Sequence, residues 1–199
     1  GMGTSLIPLV ENGVAETPGS AMANNIVANT PGRTFDIALN NNTISSAAYI
    51  DFRRSTPAYI NTLNQVSNIR AAAAGLSRPY KVVAVTTIHG ETDNRYYYMS
   101  GPIAPNSPVF DTNVADYEAN LVEWQANYEE DIRAITGQTG TIPLFTDQLS
   151  SFFSTFGNTK TSSVPIAQLA AAEHNPGKIY LVTPKYFFKY SDLHHLTAT

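Results

Sequence analysis

The sequence predicts an α/β protein, a three-layer sandwich in which a mainly parallel, doubly wound sheet lies between two layers of helices. Helical and extended segments alternate along the chain, an order typical of parallel sheets with helices on both faces. The segment KVVAVTTI at 81–88 is almost continuously apolar and β-branched, as expected of a strand covered on both faces. With 199 residues, no internal repeat and no linker, the chain is predicted to form a single domain over 1–199.

Two helices and two strands are predicted in the first half of the chain. Thr17 and Pro18 suit an N-cap and a first helical position, so a helix is expected to run from Pro18 through Val27 and to stop before Pro31. The apolar segment 35–39 ends in three asparagines, which predicts a strand followed by a turn. A second helix is predicted over 57–76, where apolar residues recur every three positions, and the KVVAVTTI strand follows it.

The second half is predicted to hold two further helices and two further strands. The longest helix is expected over 114–136, because its apolar residues form one stripe at helical spacing: Leu121, Trp124, Tyr128, Ile132 and Ile135. Strands are predicted over 141–147 and 179–183, with a helix over 164–175 between them. Helices and strands therefore alternate throughout.

Composition narrows the classes of function. The net charge is −4 and no Lys/Arg cluster stands out, so nothing indicates a nucleic-acid partner. No apolar run approaches the ~18 residues that span a bilayer, so no membrane partner is expected. The absence of cysteine excludes thiol nucleophiles, disulfides and Cys-ligated zinc. Abundant Asn, Thr, Ser, Ala and Tyr with scarce Lys favours an extracellular or virion-associated protein, and nothing indicates the oligomeric state.

Asp192 and His195 are the first candidates for chemistry. Ligands of open parallel sheets bind outside the carboxyl ends of the strands, and this pair follows the last predicted strand. On a helical turn, a carboxylate three residues away can fix the histidine tautomer and stabilise the imidazolium, which leaves the other ring nitrogen for a nucleophile. The alternative interpretation is an exposed aspartate and two exposed histidines, Asp192, His194 and His195, on a terminal loop.

A second candidate segment, HGETD at 89–93, directly follows the KVVAVTTI strand. Gly90 permits tight backbone geometry, and donors from this loop can face a developing oxyanion. Two alternatives stay open: His89, Glu91 and Asp93 form a metal cluster, or the carboxylates only cap the next segment. The tyrosines at 96–98 either stack on sugar rings or pack at a half-buried edge.

Together these segments resemble the SGNH hydrolases, and among them the carbohydrate acetylesterases related to sialate O-acetylesterase. The HGETD segment is similar to the family block Gln-Gly-Glu-Ser-Asp. The family's closing Asp-x-x-His-Leu-Thr block is matched by Asp192, His195, Leu196 and Thr197. The predicted long helix, the strand after it and the segment 16–18 also look similar, so the resemblance covers roughly residues 10 to 199.

The resemblance implies a serine esterase that removes O-acetyl or similar acyl groups from a carbohydrate ester substrate, without a cofactor or a bound metal. His195 would be the general base and Asp192 its orienting carboxylate. The oxyanion hole and substrate site would be lined by His89, Gly90, Glu91 and Asn41.

Three departures from the family pattern bear on activity. His89 stands where the family has Gln or Asn, and Asn40-Asn41-Asn42 stands where it has glycine, although Asn tolerates positive φ. The family's nucleophilic serine follows the first strand, and the only similar string here is Gly3-Thr4-Ser5-Leu6. Either Ser5 is the nucleophile, or the serine lies upstream of a chain that is trimmed at both ends and lacks the first strand.

These departures keep two alternative functions open. One is a catalytically impaired module of the same fold, with a carbohydrate-binding or structural role. The other is a metal-dependent hydrolase that uses His89, Glu91, Asp93 and His195.

Overall fold

The computed structural model describes residues 18–45, 47–94, 117–150 and 163–189 of the chain. Three strands form one parallel sheet in the order β1-β2-β3: β1 is Val85–Thr87, β2 is Leu144–Gln148 and β3 is Ile179–Pro184. Leu144 pairs with Val85 on one side and with Ile179 on the other. A mixed α/β fold with a parallel sheet, as predicted, is therefore confirmed.

The described helices are α1 (Pro18–Ala28), α2 (Pro57–Gly75), α3 (Tyr117–Thr136) and α4 (Ser163–His174), and 3₁₀ turns cover Tyr49–Phe52 and Lys185–Phe187. Each predicted helix is confirmed within a few residues, although residues 114–116 lie outside the described part. Local capping explains the start of α2, because the Thr56 hydroxyl accepts a hydrogen bond from the Tyr59 amide at 3.3 Å and Pro57 needs no partner in the first turn.

The strand predicted over 35–39 is wrong. This segment has no regular secondary structure, and it pairs with none of the strands in the described residues. Five apolar residues before a turn favour an extended chain, but a strand also needs a neighbouring backbone to satisfy its amides and carbonyls.

The strand predicted over 81–88 is shorter than expected, because only Val85–Thr87 joins the sheet. Val83 is 72% exposed, which contradicts complete burial of this segment on both faces. Its neighbour Val82 is instead bonded through its main chain to the Gln138 amide, with distances of 3.0 and 2.9 Å. The apolar run thus extends beyond the part of the strand that the sheet covers.

The hydrophobic core is formed by α2, α3, α4, the 3₁₀ turn at Tyr49–Phe52 and the sheet face that carries Leu144 and Ile179. The predicted stripe on α3 is confirmed, since its first four residues are buried and Ile135 is partly buried. On α2, the buried positions are Ala58, Tyr59, Val66 and Ala73, whereas Ile60 is 48% exposed. Residues that are three positions apart are rotated by about 300° around the helix axis, so successive apolar residues at that spacing do not stay on one face.

The other face of the sheet presents Tyr180 and Val182 of β3, which are both exposed. Side chains alternate between faces along a strand, so these two point away from the core that holds Ile179. No helix among the described residues is long and apolar enough to cross a membrane.

Candidate functional site

Five ionisable side chains meet at the carboxyl edge of the sheet and form what we call the strand-end cluster: His89, Glu91, Asp93, Asp147 and Lys185. His89 follows β1 by two residues, Asp147 belongs to the end of β2, and Lys185 directly follows β3. Parallel strands end at a common edge, which brings these distant residues together. All but Glu91 are buried, an uncommon state for charged residues that requires partners.

Lys185 provides the positive charge of the cluster. Its Nζ lies 2.7 Å from Oδ2 of Asp147 and also forms an ion pair with Glu91, although the side chain is only 9% exposed. Burial alone would lower the pKa of Lys185, but the charges of Asp147 and Glu91 outweigh it and raise this pKa. Burial raises the pKa of Asp147, and Lys185 partly offsets that effect. The ammonium therefore stays charged between the ends of all three strands.

His89 is enclosed by aromatic side chains. Its Nδ1 lies 2.6 Å from the Tyr117 hydroxyl, and its ring meets Phe52 and Trp124 edge-on, with centroids 5.5 and 5.3 Å away. Burial lowers the pKa of His89 to about 4, so the imidazole is neutral at pH 7. Nε2 lies 3.7 Å from Oδ2 of Asp93, which is beyond hydrogen-bond distance.

Asp93 anchors the turn before α2 to this cluster. Both of its carboxylate oxygens accept from the Tyr49 amide, at 3.2 and 3.1 Å. Burial raises the pKa of Asp93 to about 7, and the hydrogen bond from Tyr49 only partly opposes this. The Asp93 carboxyl therefore ionises less readily than an exposed aspartate.

Glycine is required at position 90. Its φ is +123°, and a Cβ atom there would lie 2.9 Å from Cγ1 of Val164 and 3.2 Å from the Tyr117 hydroxyl. Gln168 of α4 fixes the same loop, because its amide nitrogen donates to the His89 carbonyl at 3.0 Å and its amide oxygen accepts from the Leu149 amide at 2.7 Å. The backbone at 89–90 is thus held by α3 and α4 as well as by β1.

Comparisons with protein-family models, with curated proteins and with solved structures find no match to this chain. The strand-end cluster places a fixed backbone turn at the edge where parallel sheets bind ligands, with Glu91 as the member that reaches the surface.

The sequence-predicted site residues fall into three groups. His89, Gly90 and Glu91 lie together in or beside the strand-end cluster. Asn41 is exposed, and within the described ranges no hydrogen bond or ion pair joins it to that cluster. Its neighbour Asn42 instead donates to the Ala58 carbonyl of α2 at 2.7 Å. Ser5, the tyrosines at 96–98, Asp192 and His195 lie outside the described residues.

The two carboxylates of the HGETD segment make tertiary contacts: Glu91 binds Lys185, and Asp93 binds the Tyr49 amide. In the part of the chain that the structure describes, no group of three His, Asp or Glu side chains is arranged to hold a metal ion. Between Glu91 and Asp147 the ammonium of Lys185 already supplies a positive charge.

Four residues of the site were not predicted from the sequence: Asp147, Lys185, Tyr117 and Gln168. Asp147 and Lys185 had a usable signal, because each is a charged residue at the carboxyl end of a predicted strand. Tyr117 and Gln168 belong to helices and had no such signal. A polar residue inside an amphipathic helix is usually solvated, and only the packed structure shows Gln168 fully buried.

Proposed function

We propose that this chain has an SGNH-type hydrolase fold and acts as a serine esterase that removes O-acetyl or similar acyl groups from carbohydrate. The observation that carries this proposal is the strand-end cluster, in which Lys185 ties the HGETD segment to the ends of β2 and β3. The chain then continues from β3 towards Asp192, seven residues beyond Lys185. The HGETD segment and residues 185–189, which precede Asp192 in the sequence, therefore leave the sheet at the same edge.

In the proposed reaction a serine hydroxyl attacks the acyl carbonyl while His195 takes its proton. Asp192 orients His195 and stabilises the imidazolium, and the tetrahedral oxyanion receives hydrogen bonds from loops at the strand ends. We assign the contribution of the HGETD segment to its main chain around Gly90. The His89 ring is nearly inaccessible, and its Nδ1 already bonds with Tyr117.

The three-layer arrangement and an extracellular or virion-associated location belong to the same proposal. A second helical layer would cover the sheet face that presents Tyr180 and Val182. The composition supports the location, because the chain is rich in small polar residues and tyrosine and poor in lysine.

A module of the same fold without catalytic activity is the second candidate function. It is favoured by the position of Asn41, which stands where the family has an oxyanion-hole glycine but is not joined to the strand-end cluster by any contact among the described residues. Such a module would bind carbohydrate or serve a structural role, and the buried ion pairs would then stabilise a binding surface.

Activity measurements on single variants separate the two. For the esterase, His195→Ala is expected to lower kcat/KM for p-nitrophenyl acetate by about 10²–10⁴-fold, the usual contribution of a general base. His174→Ala is the matched control, because His174 is exposed at the end of α4, where its Nδ1 lies 2.7 Å from Oε1 of Glu118. Equal rates for the two variants would contradict the assignment of His195.

A fluorophosphonate probe identifies the nucleophile. Labelling of one serine, mapped by mass spectrometry and abolished by its replacement with alanine, is expected of a serine esterase. Ser5→Ala tests the only serine that the sequence suggests. No labelled serine together with measurable glycan binding would support the non-catalytic module instead.

A further inference from the structure

Lys185 is the one cation in the strand-end cluster, and its contacts span the sheet. It lies directly after β3, pairs with Asp147 at the end of β2 and pairs with Glu91 beyond β1. Glu91 and Lys185 are 94 residues apart in sequence, so this contact exists only because of the fold. One ammonium group therefore connects the carboxyl ends of all three described strands.

The burial of this ion pair is hard to explain by stability alone. Removing the Lys185 ammonium and the Asp147 carboxylate from water costs free energy that their mutual attraction only partly recovers, and apolar groups of similar volume often stabilise a core equally well. Lys185 is 7% exposed, and Asp147 is equally buried. A buried charge network at the edge where ligands bind is more typical of residues that fix the geometry of a site.

Glu91 shows which part of the site is held. It directly follows Gly90, whose positive φ and close contacts leave its backbone little freedom, and it opens the helical turn at 91–94. The Asn94 amide donates to the Gly90 carbonyl at 2.7 Å and closes that turn. Holding the Glu91 carboxylate therefore holds the turn that begins at Gly90.

We infer that Lys185 is a positioning residue that locks the Gly90–Glu91 turn against the ends of β2 and β3 through its ion pairs with Glu91 and Asp147. The inference rests on the proposed function in that the turn would then present its main chain to the ester substrate. Lys185 acts through Glu91 and does not itself contact the acyl group.

The test compares Lys185→Met with Lys178→Met, the same substitution at the amino end of β3, where the side chain is exposed. Lys185→Met is expected to lower kcat for p-nitrophenyl acetate by about 10–100-fold with little change in KM, because a displaced loop misplaces the reacting groups. Lys178→Met should retain the wild-type kcat. Equal kcat values for the wild type and Lys185→Met would overturn the catalytic part of the inference.

A double-mutant cycle tests whether Lys185 acts through Glu91. Glu91→Gln keeps the shape of a partly exposed side chain, so it also serves if Lys185→Met does not fold. If the residues act together, the double variant should lose about as much activity as the more impaired single variant. Losses that multiply would show that the two residues act independently and would overturn the inference.

Amide hydrogen exchange distinguishes failure of this inference from failure of the proposed function. Lys185→Met and Glu91→Gln are expected to speed exchange of the Asn94 amide by about tenfold or more, while amides in the middle of α3 keep their protection. Unchanged exchange at Asn94, or faster exchange throughout the protein, would overturn the inference. Faster local exchange in a protein whose wild type has no esterase activity would refute the proposed reaction and support the positioning role of Lys185.

Discussion

Nδ1 of His89 lies 2.6 Å from the hydroxyl of Tyr117, so the first residue of α3 closes over the loop that follows β1. The contact is fully enclosed, since both residues are buried and the two rings lie nearly parallel with centroids 6.0 Å apart. The same hydroxyl would lie 3.2 Å from a Cβ atom at Gly90. Tyr117 thus restricts both the orientation of the His89 ring and the type of residue that fits at position 90.

Tyr117→Phe is expected to destabilise the protein by about 1–3 kcal/mol, because it leaves a buried imidazole nitrogen without its hydrogen-bond partner. Urea unfolding followed by Trp124 fluorescence measures the change. Tyr180→Phe is the control, since Tyr180 is exposed on β3 and its ring contact with Phe145 would be retained. Its effect should stay within about 0.5 kcal/mol. Equal stabilities of the two variants would show that the His89–Tyr117 hydrogen bond contributes little.

Gly90→Ala is expected to lower the free energy of unfolding by about 2–4 kcal/mol. An alanine there meets both an unfavourable φ of +123° and a contact of 2.9 Å with Val164. Gly177→Ala is the control for backbone strain without this contact, because Gly177 also has a positive φ, +81°, and no atom beyond its chain neighbours lies within 4 Å of its added Cβ. We expect this control to lower the free energy of unfolding by about 1–2 kcal/mol, because it introduces backbone strain alone. A control that is as unstable as Gly90→Ala would rule out steric contact as a separate cause.

Gln168→Met is expected to lower the free energy of unfolding by about 2–4 kcal/mol. The substitution removes two buried hydrogen bonds and leaves the His89 carbonyl and the Leu149 amide unpaired. Glu173→Met, at an exposed position of the same helix, should change stability by less than about 0.5 kcal/mol. Chemical denaturation at one pH compares them. A Gln168→Met variant as stable as the wild type would contradict the bridging role of Gln168.

The strand-end cluster also predicts how stability depends on pH. Asp93 has a folded-state pKa of about 7, above its ordinary value of 3.8, so the stability it contributes is present at low pH and is lost as pH rises towards 7. His89 has a folded-state pKa of about 4, below its ordinary 6.5, so its contribution has the opposite sign and grows as pH rises from 4 to 6.5. The two effects offset each other over most of this range.

Asp93→Asn should remove one of these opposing effects. Because the variant lacks the carboxyl group that resists ionisation, its stability relative to the wild type should increase between pH 4 and pH 7, by on the order of a few kcal/mol. Urea unfolding of both proteins at several pH values gives the difference directly. A difference that stays constant from pH 4 to pH 7 would show that the pKa of Asp93 is not raised.

Local patterns were sufficient for much of the fold. Thr56 and Pro57 mark the start of α2, and the apolar stripe on α3 identifies the side that is buried. Both signals involve residues within a few turns of each other. The strand prediction for residues 35–39 was wrong because strand pairing depends on a partner that is distant in sequence. The apolar character of a segment cannot specify that partner.

Local sequence patterns predicted only part of the candidate site. The HGETD segment could be found because it follows an apolar strand and contains a glycine, and Gly90 does have positive φ. The links from Glu91 to Lys185 and from His89 to Tyr117 could not be found, because neither pair shares a helix or a strand.

By itself the sequence determined the α/β class, the positions of the helices and the edge of the sheet where polar residues gather. These follow from backbone hydrogen bonding and side-chain periodicity, which act over short stretches of chain. Only the tertiary structure decided that Lys185 pairs with both Glu91 and Asp147, and that the His89 ring is buried and uncharged. Ion pairing and desolvation depend on distances and on exclusion of water, and both are set by packing of segments that are remote in the sequence.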